Sequence, residues 1–492
     1  MALWPKIPSG FVRSVLAGHS SLGLFFAGLL YLICLSGTIM VFHEEMAAWE
    51  QPGMPAGEPS DSAAMAMLEN ALVAGAEKTG SELHSVSLFT QWREDGHTSA
   101  HYYADNGEYG SWIADPVTGE LVADNHAPLT DFIEQLHIYL RLTDYYGIYL
   151  VGLIGVAMLS LVISGVLAHP RIFRDAFNFR RGGALRLQEA DVHNRLSVWA
   201  LPFHLMVSFT GAFLGLSFLI VAMLAFVAYD GDQAAAVRAV LGPQPTEDHS
   251  PAPIPPMMDI LDDARERTGL DRLNYIQLEH PETMGQIVTI EMAAPDELSS
   301  GEVVYYDAEG NFIETSGSAF GSIGPQVLAA MGPLHFGAFG GMWVKVLYIV
   351  FGLASTGVTV TGISIWLARR REQGRPAPQW ERIWIATVWG GAIAAVAPGL
   401  VLSRNESLGD PVFLASLAIA LILSWIIRRP LLLSGTLKAI LAAVLVALAV
   451  MNVMAHGELA LGGASLGVNL TLLAVALGLV ASLFMRKPAH EI

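Results

Sequence analysis

Apolar residues along this chain gather into long blocks separated by two mixed segments. A membrane-spanning helix needs about 20 mostly apolar residues, and runs of that kind lie near 21–42, 147–168, 200–228 and 343–367. Four further runs follow near 383–402, 411–427, 431–455 and 466–485; the sixth run overall is short and the seventh carries Lys438. The segments 43–146 and 229–342 are patterned differently. Each opens with a helical period (61–79; 256–268) and passes into strand-like alternation such as Ile287-Val288-Thr289-Ile290. Turn signals close them, Asp115-Pro116-Val117-Thr118-Gly119 in the first and Asp307-Ala308-Glu309-Gly310 in the second, and Pro251, Pro253, Pro255 and Pro256 mark an extended entry to the second. The pattern predicts an all-α membrane helical bundle, with a four-span core plus about four C-terminal spans, interrupted by two α+β insertions. The predicted divisions are 1–42 (N-terminus and span one), 43–146 (first insertion), 147–228 (spans two and three with an Arg-rich loop), 229–342 (second insertion), 343–372 (span four) and 373–492 (C-terminal extension).

Composition agrees with that reading. Of 492 residues, 53% are hydrophobic and 15% charged, which separates the chain from ordinary soluble domains. Lys and Arg in short loops resist translocation and so set orientation. Lys6 and Arg13 precede span one, and Arg171, Arg174, Arg180, Arg181 and Arg186 separate spans two and three. Arg369, Arg370, Arg371, Arg375 and Arg382 follow span four, Arg428 and Arg429 follow span six, and Arg486 and Lys487 follow span eight. With eight spans all five groups fall on one side, so both termini are expected in the cytoplasm and both insertions outside. Most of the net charge of −18 belongs to the insertions, which argues against nucleic acid as a partner. Span one reads as a retained anchor rather than a cleaved signal, because no small-x-small site follows at Val41-Phe42-His43-Glu44. The single cysteine, Cys34, excludes intrachain disulfides, thiolate-held iron–sulfur clusters and CxxCH-attached haem.

The first four spans read as two copies of one unit. His19 lies 18 residues before Gly37 of Ser36-Gly37-Thr38, and His193 lies 18 before Gly211 of Thr210-Gly211-Ala212. Leu136-His137 lies 28 residues before Gly165 of Ile163-Ser164-Gly165, and Leu334-His335 lies 27 before Gly362 of Val360-Thr361-Gly362. The duplication singles out four histidines, His19 with His193 at the cytoplasmic edge and His137 with His335 at the exterior edge. Ionisable residues near membrane spans are costly enough to be functional candidates. Two imidazoles facing each other between helices suit b-type haem, filling both axial positions and leaving no open site for oxygen chemistry. Arg141, Arg13 and Arg195 lie near these pairs and are candidate partners for haem propionates. A histidine at a membrane edge also serves as an ordinary interfacial polar residue, and a zinc site would need further ligands. His204, 11 residues after His193 and about three turns deeper on the same face of a continuous helix, is a candidate for a second haem or for helix packing. His43 and His169 read as interfacial, and His84, His97, His101 and His126 as surface residues. A straight helix from His137 to Gly165 would run about 42 Å, too long for the bilayer core, so a break is expected at Asp144-Tyr145-Tyr146-Gly147.

At these residues the sequence resembles the PepSY-associated transmembrane helix family of bacterial inner-membrane proteins, which includes iron-regulated ferric-siderophore reductases. The likeness rests on Gly18-His19 with Ser36-Gly37, on Leu136-His137-Ile138-Tyr139-Leu140 and Leu334-His335-Phe336-Gly337, and on Asp115-Pro116-x-Thr-Gly, and covers residues 10–372. The resemblance implies a pair of periplasmic PepSY-like domains on a bundle that binds two haems b through histidines. It further implies a function in iron uptake, with electrons passing to ferric iron, a ferric siderophore or another ferric chelate. No Gly-rich nucleotide-binding fingerprint is present, so the donor is expected to be separate, a quinol or a cytoplasmic reductase. Two other classes compete: a non-redox PepSY binding or regulatory membrane protein, and an iron-chelate permease. The spans lack the pattern of acidic and basic residues expected of a proton-coupled transporter, and no HExxH or GxSxG constellation supports a hydrolase.

Overall fold

The computed structural model describes residues 8–90, 97–142, 144–169, 173, 177 and 185–484. Lys6, Arg171, Arg174, Arg180, Arg181, Arg486 and Lys487, on which the orientation argument partly rests, lie outside the described residues. In chain order the elements are α1 (Ser9–Met40), α2 (His43–Glu50), α3 (Asp61–Thr79), β1 (Leu83–Phe89), β2 (Ser99–Ala104), β3 (Tyr109–Ala114), β4 (Leu121–Asp124), α4 (Pro128–Tyr139), α5 (Asp144–Ala168), α6 (Leu185–Trp199), α7 (Leu201–Gly215), α8 (Ser217–Ala228) and α9 (Gln233–Leu241). There follow α10 (Met257–Thr268), β5 (Leu273–Glu279), β6 (Ile287–Ala293), β7 (Gly301–Tyr306), β8 (Phe312–Thr315), α11 (Ile323–Ala329), α12 (Met331–Phe336), α13 (Gly341–Glu372), α14 (Pro378–Val396), α15 (Gly399–Leu402), α16 (Gly409–Ile426), α17 (Pro430–His456) and α18 (Gly463–Phe484). The chain forms two compact units: a helical unit of Met1–Glu50, Pro128–Leu216 and Met342–Ile492, and a sheet unit of Gln51–Ala127 and Ser217–Gly341.

Among the described residues seven stretches are long and apolar enough to cross a membrane: Ser9–Met40, Tyr146–Ala168, Gly341–Glu372, Pro378–Leu402, Glu406–Ile426, Pro430–Leu461 and Gly463–Phe484. The bent pair Arg186–Trp199 and Leu201–Gly215 makes eight if it is one span. This is a multi-pass membrane protein. The third span expected at 200–228 is displaced, since the break falls at Gly215–Ser217 and α8 groups with the sheet unit. Conversely α2 and α4, expected within the first insertion, belong to the helical unit. The Glu50 carboxylate explains part of that placement: it accepts from the Leu129 and Thr130 N–H groups, both at 2.8 Å, and so caps the start of α4.

Small residues let the helices of this unit touch. A Cβ on Gly152 of α5 would lie 2.9 Å from the Gly215 carbonyl carbon of α7, and one on Gly155 would lie 2.9 Å from the Ala212 nitrogen. Lipid tails are as apolar as Leu, so helices associate by such close packing rather than by a hydrophobic drive. The C-terminal helices are tied to the core by polar contacts. The Tyr31 hydroxyl of α1 donates to the Val388 carbonyl of α14, and Trp49 Nε1 donates to Asn469 Oδ1 at 2.9 Å. Asn469 in turn donates to Asn452 Oδ1, and Asn452 to the Trp49 carbonyl, closing a buried ring of hydrogen bonds between α2, α17 and α18.

The sheet unit joins the two insertions into one eight-stranded antiparallel sheet, in the order β4-β3-β2-β1-β5-β6-β7-β8. Each half is a four-strand meander preceded by a helix. Val86 and Leu88 of β1, Ile276 and Leu278 of β5, Val288, Ile290 and Met292 of β6, and Val304 and Tyr306 of β7 share a core with α3 and α10, as period-two alternation requires. Both helices stop on a left-handed glycine, Gly80 and Gly269. Both sequence-predicted turns form: Asp115 Oδ1 accepts from the Val117 and Thr118 N–H groups, and Asp307 Oδ1 from those of Glu309 and Asn311. The central β1–β5 pairing is centred on Ser87↔Gln277.

His101 of β2, expected at the surface, is hydrogen-bonded between Ser99 and Tyr109, and burial pushes its imidazole down to about 4. An unfolded histidine takes its proton near pH 6.5. The unfolded chain therefore holds more protons between these values, and stability should fall as pH falls through that window. The loss of thermal midpoint between pH 7 and pH 5 should shrink in His101→Gln; an unchanged loss would place the acid sensitivity elsewhere.

Candidate functional site

Three of the four repeat-related histidines have the same seat. His137 of α4 rests on α1, its Nδ1 3.1 Å from the Ile33 carbonyl and 3.3 Å from Ser36 Oγ. His193 of α6 rests on α13, its Nδ1 3.1 Å from both the Val358 carbonyl and Thr361 Oγ1. His19 of α1 rests on α5, its Nδ1 3.0 Å from Ser164 Oγ. In each case a hydroxyl residue is followed by a glycine that lies under the ring: Ser36-Gly37, Thr361-Gly362 and Ser164-Gly165. A Cβ at Gly37 would lie 2.5 Å from His137 Cε1, and at Gly165 and Gly362 it would lie 3.3 Å from His19 Cε1 and 3.5 Å from His193 Cε1.

The hydroxyls decide the tautomer. Ser36 Oγ donates to the Leu32 carbonyl at 2.8 Å, Thr361 Oγ1 to Gly357 at 2.8 Å and Ser164 Oγ to Leu161 at 3.2 Å. Each hydroxyl hydrogen is thus directed along its own helix, and the oxygen accepts from the imidazole. Carbonyls accept only. Nδ1 therefore carries the hydrogen and Nε2 the lone pair, which is the state of a neutral imidazole prepared to bind a metal through Nε2.

His19 and His204 both lie within electrostatic reach of His193, so three of the candidate histidines gather in one region of the helical unit. His204 does not arrive there as the continuous-helix argument expected. The chain bends by 69° between α6 and α7, where Pro202 lacks the N–H and crowds the carbonyl four residues back. His204 is 3% exposed, and its Nε2 is buried without a hydrogen-bond partner among the described residues. His335 lies on α12 of the sheet unit.

The break that places His137 comes earlier than expected, at Leu140 and Arg141, which take positive φ of 53° and 56°. Arg141 is engaged otherwise than as a propionate partner. Its Nε and Nη2 form a bidentate pair with Asp410 at 2.7 and 3.0 Å, and its guanidinium stacks on Phe132, so this fork already has its carboxylate. Arg195 is partly buried two residues beyond His193, and Arg13 is exposed near the start of α1.

Sequence reasoning passed over one further group. Lys345 of α13, 4% exposed, is ion-paired with Glu45 and, at 3.4 Å, with Glu44 of α2. A lysine one turn inside an apolar run was the available signal.

Residues 16–369 match the model of the PepSY-associated TM region. The chain belongs to that family. An uncharacterised protein of Pseudomonas aeruginosa is 29% identical over 299 residues, covering 58% of this chain and 75% of its relative. The family match closes near the end of α13, so α14–α18 extend the PepSY-associated region rather than form part of it.

Proposed function

We propose that this PepSY-associated membrane protein is a transmembrane di-haem b electron-transfer protein, passing electrons from a cytoplasmic or quinol donor to ferric iron or a ferric siderophore at the periplasmic face of the bacterial inner membrane. The observation that carries the reading is the repeated histidine seat. Three imidazoles, on three different helices, share one tautomer, His137 and His193 through main-chain carbonyls and His19 through a hydroxyl that already donates to its own helix, with a hydroxyl–glycine step beneath each ring. A histidine serving only as an interfacial polar group has no need of a fixed tautomer.

The donor set fits haem. His19 and His193, with the buried Nε2 of His204 close by, would hold one group, and His137 would supply one ligand to a second. Haem held by two imidazoles supplies a one-electron centre without an open coordination position. At the rise of an α-helix, His19 and the Ser36 seat of His137 are separated by about 26 Å along α1, so the two stations lie toward opposite ends of that helix. Arg13 and Arg195 remain candidates for anionic substituents near the first station. The duplicated core is part of the same proposal, supported by the repeated seats and by the two meanders joined about Ser87↔Gln277. The arginine groups set the orientation, with both termini cytoplasmic.

The test is a reduced-minus-oxidised spectrum of detergent-purified protein with haem quantified per chain. Wild type should bind about two haems, and His193→Ala and His137→Ala should each retain about one. Colourless wild-type protein that stays spectrally silent after incubation with haem would overturn the redox reading and favour a regulatory PepSY module.

A further inference from the structure

One end of the β1–β5 joint carries chemistry that the other end lacks. The pairing is centred on Ser87↔Gln277, and the residues three positions to either side form two symmetry-related cross-strand pairs. At one end the His280 N–H donates to the His84 carbonyl at 2.8 Å, and at the other the Thr90 N–H donates to the Asn274 carbonyl at 3.1 Å. Thr90 and Asn274 are satisfied by the surrounding chain: Thr90 Oγ1 donates to the Leu273 carbonyl at 2.6 Å and Asn274 Nδ2 to Glu291 at 2.8 Å. The joint therefore closes without histidine. At the other end three imidazoles gather. The His84 and His280 ring centres are 4.8 Å apart, those of His249 and His280 are 6.0 Å apart, and Asp105 Oδ1 lies 3.6 Å from His84 Nδ1. His280 Nδ1 is buried without a hydrogen-bond partner among the described residues. His249, His280 and Asp105 line an open cleft of about 1020 Å³.

We propose that this cluster is a binding site for a divalent first-row transition-metal ion, with His84, His280 and His249 as nitrogen ligands and Asp105 as the carboxylate. Imidazole with carboxylate is a donor set suited to zinc, copper, nickel and ferrous iron. Two imidazoles on one tetrahedral ion, with metal–nitrogen bonds of about 2.0 Å, hold their ring centres roughly 5 Å apart. The observed spacings of 4.8 and 6.0 Å bracket that distance. Among the described residues no three such donors yet meet at one point, so the ion closes the site by drawing in His249, whose side chain is 62% exposed on its loop. The backbone at the cluster is strained: His280 and Glu282 have φ of 48° and 63°, a conformation costly for residues other than glycine and concentrated at functional sites. The proposal is independent of haem, since all four ligands belong to the sheet unit.

The experiment is equilibrium dialysis of chelator-stripped, full-length protein against Zn(II), with zinc and iron counted separately. Wild type should take up one zinc per chain. His280→Asn keeps a side chain that tolerates positive φ, and His249→Asn alters only the loop; each should weaken zinc binding at least tenfold with haem content unchanged. His456→Asn, at the end of α17, should bind as wild type does. No saturable zinc in wild type, or zinc retained at wild-type affinity in both His280→Asn and His249→Asn, would overturn the site.

Discussion

Gly37→Ala should halve the haem content of the purified protein while Gly362→Ala leaves it unchanged, although both add one methyl group beneath a candidate ligand. The difference lies in space. The new Cβ at Gly37 would lie 2.5 Å from His137 Cε1 and 3.1 Å from Nδ1, closer than real carbon contacts allow. His137 would have to leave its hydrogen bonds to Ile33 and Ser36, and with them its tautomer and direction. At Gly362 the added Cβ would meet His193 Cε1 at 3.5 Å, an ordinary contact, and at Gly165 it would meet His19 Cε1 at 3.3 Å, so Gly165→Ala should fall between the two. Haem per chain and the reduced spectrum give the measurement. Gly18→Ala, where an added Cβ meets nothing within 4 Å, is the control for a glycine change on the same helix. Equal haem in Gly37→Ala and wild type would remove His137 from the ligand set without touching His193.

The same glycines show what sequence could and could not reveal. Their nearly constant separation from the histidines marked them as landmarks, but spacing along the chain does not say which ring rests on which glycine. Gly37, 18 residues from His19, receives His137; Gly165, 28 residues from His137, receives His19. The landmarks were legible because each is a short spacing along the chain, and the pairings were not because they join segments distant in sequence. The bend at Ala200 was legible in principle from Pro202, and reading His193 and His204 onto one continuous helix hid it. The joining of the two insertions through β1 and β5 left no mark that patterning could detect: a strand at a sheet edge and one in its interior both alternate with period two. For the same reason His84 read as a surface residue, though its register with His280, fixed 196 residues later, gives it an imidazole neighbour that itself stacks with His249. Arg141 was placed near a haem by proximity to His137; its bidentate partner Asp410 stands 269 residues away, in the extension beyond the family region.

Lys345→Met should lower stability by about 3–5 kcal/mol, the range for removing one partner of a buried ion pair, and so lower the thermal midpoint by several degrees in detergent. Glu45 is 8% exposed and Lys345 4%, and the ammonium lies 5.8 Å from the centre of the Phe42 ring, so water does little to screen the Glu45 carboxylate. Met fills nearly the volume of the lysine stem, and what it fails to supply is the charge. Glu44 and Glu45, adjacent at the start of α2, would then face each other without their shared cation in surroundings where an unpaired charge is costly. The second variant decides the cause. Glu45→Gln in the Lys345→Met background removes one stranded charge, and the double variant should recover more than half of the lost midpoint, a coupling expected of groups in direct contact. Independent losses that simply add would mean that Lys345 acts through the packing of its stem, and that the α1–α2 turn is held against α13 by shape rather than by charge.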